Sequence, residues 1–173
     1  MLFPRFSFVW VPALAATALL SACSGPTPPP YRYTYVPGKS AVVHRGHAAI
    51  PESAPPQVKA AIEAGNQIAG LPYRRGGGHC QLHDSAYDCS GATSYVLHEA
   101  GLLQTAIPST SFRAYGQGGK GDWISVYARK GHVFLVVAGL RFDTGYGGGA
   151  KGPRWTTLDR PVQGCVIRHP VGL

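Results

Sequence analysis

Three stretches of the chain carry an apolar pattern regular enough to predict an element. Over residues 57–70, Val58, Ala61, Ile62 and Gly65 fall on one stripe, with Pro55 and Pro56 before them and Gly70 behind, which predicts an amphipathic helix. Over residues 90–100, Ala92, Tyr95, Val96 and Ala100 repeat at helical spacing and Gly101 supplies a stop, which predicts a second, buried helix. The third stretch is continuous: His132-Val133-Phe134-Leu135-Val136-Val137, entered through Lys130-Gly131, has the composition of a buried strand. Gly121-Asp122-Trp123-Ile124-Ser125-Val126 reads as the strand before it, and residues 153–157 as one more near the C-terminus.

The N-terminal end follows another pattern. Residues 6–20 are apolar behind one early cation, Arg5, which predicts a secretory leader over residues 1–22. The run is shorter than the roughly 20 apolar residues of a stable membrane span. It ends in Leu20-Ser21-Ala22-Cys23, which resembles a bacterial lipobox. That resemblance implies a lipidated Cys23 as the mature N-terminus, holding the protein on a membrane and facing the periplasm or wall. Residues 23–53 are rich in Pro, Ser, Thr, Gly and Tyr, too poor in apolar surface to offset their ordering entropy, and are read as a flexible tether. His44 and His47 within it read as solvated histidines. The folded domain is expected over residues 54–173.

Composition narrows the possibilities. At 173 residues and 45% hydrophobic content, the chain has room for one ordinary domain beyond the leader. Sixteen Lys and Arg against eight acids give a net charge of +8, which favours an anionic partner. Nucleic acid is not expected, because the cations are scattered singly and no nucleic-acid-binding signature accompanies them. An anionic membrane face or cell-wall polymer fits the charge as well.

The chemistry concentrates at Asp88-Cys89-Ser90-Gly91, which joins the loop Arg75-Gly76-Gly77-Gly78 to the second helix. The first N–H groups of a helix lack internal partners and the macrodipole is positive there, so a thiolate at Cys89 is favoured and the residue is a candidate nucleophile. The ordinary alternatives are a small buried residue or half of a disulfide. His132, at the head of the most strand-like run, is a candidate base that only the fold can bring to Cys89. A two-residue turn at 138–139 or 139–140 places Asp143 on the same face as His132; a three-residue loop places Thr144 there instead. A carboxylate orients imidazole and stabilises imidazolium better than a hydroxyl, which favours Asp143.

Leu71-Pro72-Tyr73, Gly76-Gly77, Asp88-Cys89-Ser90-Gly91, Ile107-Pro108-Ser109-Thr110-Ser111, Gly121-Asp122 and Gly131-His132-Val133 together resemble, in order and approximate spacing, the NlpC-type cell-wall cysteine peptidases. The resemblance covers about residues 57–144. It implies an α+β, papain-like fold in which N-terminal helices, one carrying the cysteine, pack on a small antiparallel sheet carrying the histidine. It further implies a thiol endopeptidase of peptidoglycan stem peptides, typically cutting between D-glutamate and a diamino acid. Cys89 is then the nucleophile, His132 the base and later the acid, and Asp143 or Thr144 the third group. Tyr73 lines the cleft, and Asp88 and Ser90 receive the free amine of the stem peptide. Helix capping is the competing role for Asp88, and satisfying the first turn that for Ser90. Other uses of the scaffold are a wall-binding or regulatory module without turnover, and an amidase or acyltransferase built on the same dyad.

The chain departs from the family pattern at two places. The usual third histidine falls, without gaps, at Thr144. The loop between Gly78 and Asp88 is long and carries His79, Cys80, His83 and Asp84. Cys80, His83 and Cys89 match no standard zinc spacing, so neither a metal nor a cofactor is expected. In an oxidising compartment Cys80 is expected to pair with Cys165, leaving Cys89 free, the alternative being a Cys80–Cys89 bond that would silence the site. A monomer is expected.

Overall fold

The computed structural model describes Met1 and residues 28–145 and 152–173. The leader and the lipidation site at Cys23 lie outside the described residues.

Among the described residues, two α-helices pack on one face of a six-stranded antiparallel sheet, with a small hairpin beside them. The hairpin is β1 (Val42–His44) and β2 (His47–Ala49). The helices are α1 (Pro56–Ile68) and α2 (Cys89–Glu99). The main sheet is built from β3 (Gln117–Gly118), β4 (Ile124–Arg129), β5 (His132–Val137), β6 (Leu140–Asp143), β7 (Arg154–Thr156) and β8 (Val166–His169), in the spatial order β3-β8-β4-β5-β6-β7. This is an α+β arrangement, with the cysteine at the start of a helix and the histidine at the start of a central strand.

The helices arise where the apolar stripes predict them. In α1, Val58, Ala61, Ile62, Gly65 and Ile68 are buried, and the absence of a side chain at Gly65 is what admits Trp155 of β7. A Cβ there would stand 2.4 Å from the indole ring. The second helix is buried on nearly every side, from Ser90 to Leu97. It ends at Gly101, whose left-handed backbone lets the Gly101 and Leu102 N–H groups reach the carbonyls of His98 and Leu97. Val133, Leu135 and Val137 of β5 face the helices, with Val126 and Ala128 of β4 beside them. The alternate residues, Tyr127, Phe134 and Val136, form a second apolar cluster on the other face.

Two expectations about the chain's layout are corrected. The strand expected at residues 121–126 begins at Ile124 and runs to Arg129. Gly121 is held against the carbonyls of Ile124 and Leu173 instead, where a Cβ would approach to 2.3 Å and 2.0 Å. More consequentially, the described part of the expected tether, residues 28–53, is packed on the domain. Tyr31 forms a two-way backbone bridge with Arg160 and sets its ring edge-on to Tyr127 at 5.8 Å. Ser40, Ala41 and Ala48 are buried, and the Asn66 side chain of α1 satisfies both backbone groups of Ala48, at 2.8 and 3.0 Å. The segment is poor in apolar side chains, but it docks through backbone hydrogen bonds that composition does not register.

One of these contacts bears on the site. Val137 pairs with Leu140, so Ala138-Gly139 is a two-residue turn with φ of 46° and 72°. Both values are positive, as a primed hairpin turn requires, and an alanine does not adopt one freely. The N-terminal arm holds it there. Ala41 N–H donates to Ala138 C=O at 2.8 Å, Ala138 N–H donates to Trp123 C=O at 2.7 Å, and the Tyr31 hydroxyl donates to Gly139 C=O.

Candidate active site

Cys89 is the first residue of α2, and the glycine loop is pressed onto the helix start. Asp88 caps the helix by accepting from Gly91 N–H at 2.8 Å, and its other oxygen accepts from Gly76 N–H at 2.9 Å. Gly77 C=O lies so close to Gly91 that a Cβ on Gly91 would stand 1.9 Å from it. The long loop is ordered around Asp84. Its carboxylate takes the Arg74 guanidinium at 2.6 Å and the N–H groups of Gly78 and Ser85 at 3.0 and 2.7 Å. The Gly78 N–H and the Arg74 guanidinium hold the Asp84 carboxyl down to about 2.

His132 opens β5. Its Nε2 lies 2.8 Å from Asp143 Oδ1, which leaves Nδ1 free of Asp143, and Cys89 lines the same cleft as the ring. Burial pulls the imidazole pKa down, but the hydrogen bonds and negative charge of Asp143 and Cys89 outweigh it, so His132 is raised above its ordinary 6.5. Asp143 is fully buried and heavily held. Arg141 Nη1 lies 2.5 Å and Arg160 Nε 3.4 Å from Oδ2, while Thr144 N–H donates to Oδ1 at 2.7 Å. Of the two candidates for the third group, Asp143 therefore bonds the imidazole. Thr144 supports Asp143 with its backbone and lines the cleft.

The cleft at these groups holds about 390 Å³ and is lined by Tyr73, Cys89, Arg129, Gly131, His132, Thr144, Gly145 and Arg160. Tyr73 is 43% exposed there. Burial, and then the negative charges of Cys89 and Asp88, push its phenol pKa up, so it presents a hydroxyl. Asp88 and Ser90 are placed differently from Tyr73 and do not line that cleft. Ser90 Oγ donates to Asp88 Oδ1 at 3.0 Å, and His79 Nε2 lies 3.0 Å from Asp88 and 3.1 Å from Ser90. Burial tends to raise the Asp88 carboxyl, but the Gly91 and Gly76 N–H groups and His79 bring it below the ordinary value.

The expected bridge between Cys80 and Cys165 is not formed: Cys80, Cys89 and Cys165 are all free. Cys80 is exposed on the loop beside the helix start, whereas Cys165 packs with the Tyr127 and Phe134 cluster on the sheet face away from the helices. A disulfide needs Cα atoms within about 7 Å, and these two positions serve different layers of the fold.

Sequence reasoning gave no role to four polar neighbours of the site. Arg141 was within reach of it, since it sits two residues before Asp143 on one strand and so shares its face. Arg129 pairs with His132 across the β4–β5 turn and was legible once the strand was extended. Arg160 and His79 carry no local signal, because each arrives on a loop.

No protein family model matches the chain, and no curated protein matches it. Among solved structures, it is similar to the structure of Rv1477, a hypothetical invasion protein of Mycobacterium tuberculosis. The identity is 20%, over 76% of this chain and 72% of that one, with a TM-score of 0.45.

Proposed function

We propose that the protein is a cysteine peptidase of the NlpC type that cleaves peptidoglycan stem peptides at the cell envelope, between a D-γ-glutamyl group and a diamino acid. The observation that carries this reading is the thiol of Cys89 sharing one open cleft with an imidazole that Asp143 orients. A purely structural cysteine or histidine has no need of that combination. The lipobox resemblance at Cys23 and the net charge of +8 support placement on a membrane facing an anionic polymer.

In this mechanism His132, protonated at Nδ1, faces the Cys89 thiolate. The sulfur attacks the scissile carbonyl carbon, and the carbonyl electrons move onto oxygen. Asp88 already takes the Gly91 N–H through its side chain and the Ala92 N–H through its carbonyl, at 2.8 and 2.9 Å. The Cys89 N–H, one turn earlier, is the donor assigned to the oxyanion. Collapse of the adduct expels the amine, which takes the His132 proton and leaves a thioester. His132 then draws a proton from water, which attacks the thioester and returns the thiolate and a carboxylic acid.

The test is digestion of purified sacculi by the wild-type domain and by Cys89→Ala, with fragments identified by mass. A product ending in L-alanyl-D-glutamate, absent with Cys89→Ala, is expected. Binding to sacculi without any released fragment would replace this reading by that of a wall-binding module. Release of a different amide or ester product would replace it by an amidase or acyltransferase.

A further inference from the structure

The cleft carries a cation that the mechanism does not use. Arg129 is the last residue of β4, opposite His132 in register, and its exposed side chain lines the same cavity as the Cys89 thiol. All eight acids of the sequence lie among the described residues. The ion pairs engage Asp84, Asp88, Glu99, Asp143 and Asp159, and among the described residues Arg129 takes part in none of them. Arg160, the other cation of the cleft, is turned onto Asp143. The cavity therefore presents one exposed guanidinium beside the nucleophile, in a position where a fork of donors matches a carboxylate.

The position is held firmly. Arg129-Lys130-Gly131-His132 is a tight turn in which Arg129 and His132 are direct partners, and Gly131 adopts a φ of 80°. The reach from Arg129 to the reacting carbon is thus tied to the strand pair that carries the base.

We infer that Arg129 is a specificity-determining residue that binds a free carboxylate on the acyl side of the scissile amide. The inference rests on the proposed peptidase reading. A γ-linked glutamyl group is the kind of acyl donor that supplies such a carboxylate, because linkage through the side chain leaves its α-carboxyl unused, three carbons from the carbonyl under attack. In an α-linked residue the α-carboxyl carbon is itself the carbonyl under attack, so no free α-carboxyl remains. Neutralising the carboxyl as an α-amide removes the charge and half of the acceptor geometry while leaving the scissile bond untouched.

The experiment compares three synthetic muropeptides: one with the free glutamyl α-carboxyl, one with that group amidated, and one with only the diamino acid's remote carboxyl amidated. Each is tested with the wild type, Arg129→Ala, Arg129→Gln and Arg129→Lys. The wild type is expected to favour the free acid over the α-amide by about ten- to hundred-fold in kcat/KM, chiefly through KM, the scale of one charge-assisted hydrogen-bonded pair. Arg129→Ala and Arg129→Gln should lose that preference, and Arg129→Lys should recover part of it. Equal rates on acid and α-amide by an active wild type would overturn the assignment. So would a preference that follows the diamino acid's carboxyl instead. Absence of cleavage of all three by a folded wild type would instead sink the peptidase reading itself. Matching circular dichroism spectra and thermal midpoints of wild type and variants verify that the fold has survived the substitutions.

Discussion

His132 and Asp143 stand eleven residues apart in the chain and 2.8 Å apart in space, joined by a hairpin whose two-residue turn sets their common face. The carboxylate is in turn gripped by Arg141 and by the Thr144 N–H. The imidazole is therefore oriented by a group that is itself immobile, which is the condition for a base of defined tautomer.

The raised pKa of His132 predicts the pH profile. Imidazolium persists to higher pH than an unperturbed histidine allows, so kcat/KM on a muropeptide should fall on an alkaline limb lying above 6.5. Asp143→Asn removes the carboxylate's charge and should move that limb to lower pH, with a loss of about 10²- to 10⁴-fold in rate. The same sign governs stability: the contribution of His132 is complete below the unfolded value and is lost as pH rises through the folded one. A limb unmoved in the variant would deny Asp143 its role.

The approach of Gly77 to Gly91 predicts an intolerant position. Gly91→Ala puts a methyl group into a backbone carbonyl that has no side-chain freedom to yield. Destabilisation by about 1–3 kcal/mol or more is expected in denaturant unfolding, together with loss of Cys89 reactivity as the loop lifts from the helix start. Gly101→Ala, also at positive φ but facing open space, should cost only about 1 kcal/mol and spare reactivity.

Asp84 predicts an acid transition of the loop. Its carboxyl is held at about 2, so its stabilisation is present above the ordinary value of 3.8 and is lost as pH falls through about 2. Amide exchange at Gly78 and Ser85, read against pH, should accelerate across that window. Asp84→Asn should abolish the pH dependence there and leave the Ala41 amide, on the far side of the sheet turn, unaffected.

Residues 28–41 predict a dependence of the site on the arm. A chain beginning at Ala54 should unfold at a lower temperature and turn over more slowly than one beginning at Pro28, because the Ala138-Gly139 turn loses the Ala41 and Tyr31 bonds. Tyr31→Phe alone should cost about 1 kcal/mol. Equal thermal midpoints for the two lengths would show that the turn holds itself.

Thiol counting checks the cysteines. Under denaturation without reductant, the domain from Pro28 onward should titrate Cys80, Cys89 and Cys165 as three free thiols. In the folded protein, Cys165 should react slowest, since burial raises its pKa despite the nearby Arg129 and Arg160.

The chain by itself determined both helices, the β5 strand and the candidate pair Cys89 and His132, because these depend on local periodicity, on a helix start and on a strand head. It limited the third group to Asp143 or Thr144 by the parity of one turn. Only the tertiary structure decided between them, since the turn's length is enforced by bonds from Ala41, Trp123 and Tyr31, far away in sequence. Tertiary structure likewise decided that residues 28–53 pack on the domain, that Cys80 and Cys165 serve different layers, and that Asp88 is occupied by His79. Periodicity reports what a segment can bury on its own. Backbone pairing with distant strands, and charges delivered by loops, leave no period to read.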